Sequence, residues 1–169
     1  MNNLIQVDKE IITTSTSSVT LTGTTTDHVY MAVLTGVTPV TDGEYLRVRF
    51  TVGGSNDGDS NYDRATLEFK SDAAYGDSYQ SNANGFNMAD NGTATGETHQ
   101  SIFYIYNENT SSEYTFASWS ECGLEEGGNL RARNGGGVLT EEQATDGLYF
   151  FYSSGNIASG KFALYRVSS

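Results

Sequence analysis

A single cysteine, Cys122, and a single proline occur in the 169 residues of this chain. One thiol excludes an intrachain disulfide, so the fold must be held by packing or by association with other chains. The expected state of Cys122 is a buried, unreactive thiol. There is no Pro-rich linker, no repeat of fixed period and no heptad pattern, which excludes tandem modules, solenoids and coiled-coil fibres. Basic residues are scarce too: nine Lys plus Arg stand against twenty-one Asp plus Glu, a net charge of −12. A surface of that sign repels a phosphate backbone, so no nucleic-acid partner is expected. No apolar run approaches membrane-spanning length, and Met1 to Asp8 lacks the basic start and apolar stretch of a signal peptide. The expectation is a protein made inside a cell, with no membrane partner and no conventional secretory route.

What the chain does have is glycine and aromatic side chains: nineteen Gly, eleven Tyr, eight Phe and one Trp. Aromatic bulk of this kind can fill a sandwich core, and the length suits one domain. In residues 44–52, Leu46, Val48, Phe50 and Val52 alternate with Tyr45, Arg47, Arg49 and Thr51, the period-2 pattern of a half-buried strand. Residues 64–70 repeat it, with Ala65, Leu67 and Phe69 against Arg64, Thr66, Glu68 and Lys70. Three runs, 29–34, 102–106 and 148–152, are apolar or aromatic on both faces, which fits strands inside a sheet or strands whose outer face a neighbouring subunit covers. Further strands are expected at 17–22, 114–122, 130–138 and 161–167, about nine in all. The fold class is therefore all-β, an antiparallel β-sandwich of jelly-roll or related Greek-key topology. Residues 1–15 read as an N-terminal arm or edge strand and residues 16–169 as the single sandwich domain. A long loop is expected at about 71–96, where Asn82, Asn84, Asn87 and Asn91 break any periodicity. Leu139 to Thr145 carries the single helical signal, one or two turns with Thr140 as N-cap and Gln143 returning the bond.

The sequence nominates no catalytic, cofactor-binding or metal-ligating residue. Asp57-Gly58-Asp59-Ser60-Asn61-Tyr62-Asp63, with Glu68 beyond, has the alternate oxygens of a calcium loop. Tyr62 stands where the sharp turn needs glycine, however, so a solvated acidic hairpin is the better reading. His28 and His99 start strand-like runs, and neither they nor Cys122 belong to a nucleophile or zinc motif. Glu97, Glu108, Glu113 and Glu121 lie near strand ends, as ordinary solvent-facing charges do. Gly135-Gly136-Gly137 lacks the Lys and helix of a phosphate loop and fits a bulge or a close backbone contact. Tyr45, Tyr62, Tyr75, Tyr79 and Trp119 offer rings on which sugars can stack, Trp119 being at least as well suited to the core.

The segment Ser154-Gly155-Asn156-Ile157-Ala158-Ser159-Gly160-Lys161-Phe162-Ala163-Leu164-Tyr165 resembles the closing hairpin of small virion structural proteins of tailed phages of marine bacteria. Leu4-Ile5-Gln6 and Gly36 to Gly43 share that resemblance. It implies a sandwich present in several copies as a capsid decoration or tail-associated component, and supplies no catalytic residues. Because one sandwich and a short arm account for the whole chain, with no trimerising shaft, capsid decoration is the first expectation. The expected partners are the major capsid protein or another virion protein and further copies of the chain, a trimer being favoured; the expected location is the virion. The alternative is a tail-associated or receptor-binding module for host surface glycans. No enzymatic role and no cofactor are expected.

Overall fold

In a computed structural model, which describes residues 4–26 and 28–167, the described residues form two antiparallel sheets and no helix. Thirteen strands are present among the described residues: β1 Leu4–Ile12, β2 Val19–Thr22, β3 Val29–Pro39, β4 Glu44–Val52, β5 Ser55–Asn56, β6 Tyr62–Lys70, β7 Gly76–Ala83, β8 Phe86–Asn91, β9 His99–Tyr106, β10 Thr115–Leu124, β11 Leu130–Leu139, β12 Gly147–Tyr152 and β13 Ile157–Val167. The large sheet runs β1-β13-β3-β9-β10-β11-β6-β7. The small one runs β2-β12-β4, with β5 and β8 both pairing with β4.

The order in space reveals the topology. β1-β13-β3-β9 in the large sheet faces β2-β12-β4-β8 in the small one, and the chain visits these eight strands in the sequence β1, β2, β3, β4, β8, β9, β12, β13. That is the double Greek key of a jelly roll. Two excursions decorate it: β5 to β7 between β4 and β8, and β10 with β11 between β9 and β12. The four longer inserted strands join the large sheet beyond β9, so it grows to eight strands while the small sheet stays about half as wide. β8, at the small sheet's edge, packs over β10 and β11, and β7 projects past it with residues 77–82 exposed.

All nine strands read from the pattern are present, and four more correct that count. The arm forms β1, an edge strand on β13 of its own sheet. The segment at 71–96, expected as a loop, contains β7 and β8. β7 carries no apolar alternation because neither of its faces meets the small sheet. In β8 the alternation is broken by a register shift against β4, so that Met88 and Ala89 are both buried. The expected helical turn after Leu139 is absent. Thr140 instead gives both its amide and its hydroxyl to the Asn61 carbonyl, and the Gln143 amide donates to Asp57 Oδ2 at 2.6 Å.

Phe86 is the centre of the core. Its ring lies 5.1 Å from Tyr62, 5.5 Å from Trp119, 5.7 Å from Phe50 and 5.9 Å from Phe103, joining rings from both sheets. The glycines of β11 make room for these rings: a Cβ on Gly137 would lie 2.4 Å from Phe86, and one on Gly135 2.6 Å from Trp119. The ladder through Gly135 to Gly137 is regular on both sides, so the triplet is a close-packing device and not a bulge.

Candidate functional site

The period-2 rule fixes which side chains leave the sandwich. Ala117, Trp119 and Glu121 of β10 point inward, so Phe116, Ser118, Ser120 and Cys122 point out. Carried through the strand register, this defines an outer face spanning all eight strands of the large sheet. One cross-strand row on it reads Gln6, Tyr165, Met31, Tyr104, Ser118, Gly136, Ala65, Tyr79, with no charge at all. The next reads Lys9, Ala163, Val33, Ile102, Ser120, Asn134, Leu67, Asp77, with charges only at its two ends. In a protein of net charge −12, four adjacent strands, β3, β9, β10 and β11, thus place no charged side chain on this surface.

Leu67, Phe69, Ile102, Tyr106, Phe116 and Leu130 are 36–45% exposed there, while Tyr75 and Tyr79 at the β7 edge reach 76% and 79%. Exposed apolar side chains on a face where the four central strands place no charge are the kind of surface that marks an interaction site. β6 explains how this arises. Its apolar residues Leu67 and Phe69 are on the outer side. Arg64, Thr66, Glu68 and Lys70 face the other way, toward the overhang beside the small sheet, where Arg64 donates to Ser78 and Gln80 and Arg133 binds Glu68. The alternation of a half-buried strand is intact, yet its apolar side is the one left uncovered.

Cys122 belongs to this outer face and is exposed, which corrects the expectation of a buried thiol. It lies in a shallow depression with Val33, Gln100, Ile102, Ser120 and Ala132. The reason is parity: the inward position beside it is taken by Glu121.

The opposite side of the same strands holds a buried polar cluster. Three of the four carboxylates expected at the surface are buried, Glu97, Glu108 and Glu121. Glu121 Oε2 accepts the Ala89 amide at 2.8 Å and lies 3.6 Å from His99 Nε2. Burial, with Arg133 nearby, pushes the His99 imidazole down to about 3, and burial pushes the Glu121 carboxyl up to about 8. Both shifts favour the neutral forms, so their proximity is not read as an ion pair. Arg133 binds the Met88 carbonyl at 2.9 Å and Glu68 at 2.7 Å. The cluster therefore ties β8 to the large sheet. His99 is 0% and Glu121 4% exposed, so no substrate reaches them and the pair is not positioned for acid–base work.

The other nominated residues are dispersed. Asp57 Oδ2 accepts from Gln143, Asp63 Oδ1 from the Asn82 amide, and Glu68 is engaged by Arg133 and Lys70. The acidic loop thus spends its oxygens on separate partners, and among the described residues no three His, Cys, Asp or Glu converge as metal ligands would. His28 stands beside Tyr30 and Arg166. Of the five possible sugar-stacking rings, Tyr62 and Trp119 are core, Tyr45 lies under the Arg133 guanidinium, and Tyr75 and Tyr79 remain open. Comparison with models of protein families, with curated proteins and with solved structures finds no match.

Proposed function

We propose that this chain is a non-enzymatic structural protein of a virus particle, a capsid decoration protein that self-associates on the particle surface. The observation that carries the reading is the charge-free centre of the large sheet's outer face, formed by β3, β9, β10 and β11. A face of that composition loses free energy by staying in water and gains it by being covered, at about 25 cal/mol per Å² of apolar surface. The acidic remainder of the surface keeps such subunits soluble while they wait to assemble. The jelly roll supports the class, since capsid and lectin domains both use it, and the resemblance of Leu4–Gln6, Gly36–Gly43 and Ser154–Tyr165 to phage virion proteins supports the setting.

The test is the copy number of this chain in purified virus particles, measured by quantitative mass spectrometry. Hundreds of copies per particle are expected for decoration. Total absence from particles contradicts the virion assignment. A few to a few dozen copies shift the reading to the tail, where recognition of host glycans becomes the function. Tyr75 and Tyr79 favour that second reading, being two open rings at and just before β7. It requires glycan-array binding that Tyr75→Ala and Tyr79→Ala abolish.

A further inference from the structure

The large sheet ends in two edge strands that are unequally protected. β1 places Asp8, Lys9 and Glu10 in succession and has a register shift between Gln6 and Asp8, two features that blunt an edge against further pairing. β7 also has a register shift, but at its far end between Gln80 and Ala83, so residues 76–80 stay regular. It pairs only with β6, carries no Lys or Pro and a single charge, Asp77, and leaves residues 77–82 exposed. Its free N–H and C=O groups form a template for one more strand.

We propose that β7 pairs antiparallel with β7 of a second copy about a two-fold axis at Ser78, joining two large sheets into one continuous sheet. The occupant and register follow from the strand itself, given the assembly reading above, on which this inference rests. The β6–β7 ladder is regular from Gly76 to Gln80, ahead of a register shift and the left-handed Asn82, whose φ is 53°. Ser78 is the middle of that regular stretch. A two-fold there sets Gly76 against the partner copy's Gln80 and Asp77 against its Tyr79, and uses every regular residue. Centring on Asp77 instead would oppose two carboxylates, which is unfavourable. Parity is also preserved, so Tyr79 of each copy stays on the outer side, opposite the other copy's Asp77, and no two carboxylates are directly opposed across the seam. Both copies carry a charge of −12, so added salt strengthens the contact. This two-fold pairing takes the place of the trimer favoured by the sequence.

The experiment uses the full chain with Cys122→Ser as background and compares Ser78→Cys with Glu10→Cys on the β1 edge, under mild oxidation, alongside sedimentation of the unmodified chain. Ser78 is exposed, so the substitution leaves the core untouched. Opposed Cα atoms in an antiparallel pair lie about 4.5–5.5 Å apart, inside the disulfide range. The expected result is a covalent dimer for Ser78→Cys, monomer for Glu10→Cys, and a dimer that tightens with salt for the unmodified chain. An unmodified chain that assembles without Ser78→Cys cross-linking, or that forms closed trimers, overturns the edge pairing and leaves the assembly reading standing. A chain that is monomeric at every concentration overturns both.

Discussion

Replacing Phe86 by alanine is expected to cost about 3–5 kcal/mol, a large share of the roughly 5–15 kcal/mol that holds a domain of this kind together. Phe86 is fully buried and meets four aromatic rings contributed by both sheets. Truncation removes the transfer energy of the ring and leaves a cavity walled by Phe50, Tyr62, Phe103 and Trp119, rigid groups that cannot collapse into it. The reading is the urea midpoint of the purified variant against the unmodified chain. Gly137→Ala tests the same contact from the other side, since its Cβ meets both Phe86 and the Asp63 carbonyl. It should cost about 1–3 kcal/mol by overpacking. A loss below about 1 kcal/mol for Phe86→Ala would mean that the Phe86 ring is not seated between the sheets.

The second large effect is a loss of stability as pH rises from mildly acidic to mildly basic. Burial raises both Glu108 and Glu121 from an ordinary 4.5 to about 8. Asp146 adds to the shift at Glu108, and the Thr24 hydroxyl only partly offsets it. The folded state therefore keeps two protons that the unfolded chain has already released between pH 4.5 and 8, and folding weakens as pH climbs through that window. His99 acts in the opposite sense at lower pH. Lowered from 6.5 to about 3, it is neutral when folded and charged when unfolded, so it opposes folding below pH 6.5 and ceases to do so above it. Between pH 6.5 and 8 the two raised carboxyls dominate, each contributing a loss of at most about 1.4 kcal/mol per pH unit that fades as pH approaches 8. Glu121→Gln keeps an acceptor for the Ala89 amide and removes the titration, so it is expected to halve the slope; with Glu108→Gln the slope should nearly vanish. Stability flat from pH 6.5 to 8 in the unmodified chain would show that these carboxyls are solvated.

Much of the architecture was legible because period-2 alternation survives translation into structure. Leu46, Val48 and Phe50 are buried where the pattern put them, and each of the nine strands read from the sequence is present. Alternation states that a strand has two sides, however, and not which side meets the core. β6 shows the consequence: Leu67 and Phe69 look like core residues and lie outside because the strand sits in an overhang that the small sheet does not reach. The same parity carried a readable signal at β10. Trp119 and Glu121 share a side, so a buried Trp119 already placed Glu121 inside and Cys122 outside. β7 and β8 were illegible for local reasons. One has solvent on both faces and so no hydrophobic period; the other has its period broken by a register shift. The two-sided apolar runs at 29–34 and 102–106 left two options open, central position or an outer face covered by a neighbouring subunit; β3 and β9 are central strands, and covering of their apolar outer side belongs to the proposed assembly.

The proposed assembly depends on that outer face, and sedimentation velocity over a range of concentrations tests it most directly. The unmodified chain is compared with a Leu67→Glu, Phe116→Glu double variant. Both substitutions fall on side chains 42% and 45% exposed, so the monomer fold is expected to tolerate them, as circular dichroism would verify. The prediction is that the unmodified chain associates reversibly, more strongly in high salt, and that the variant requires at least about tenfold higher concentration to do so, a difference of about 1.4 kcal/mol. Identical sedimentation of the two chains as 18.3 kDa monomers at every concentration and salt would contradict it.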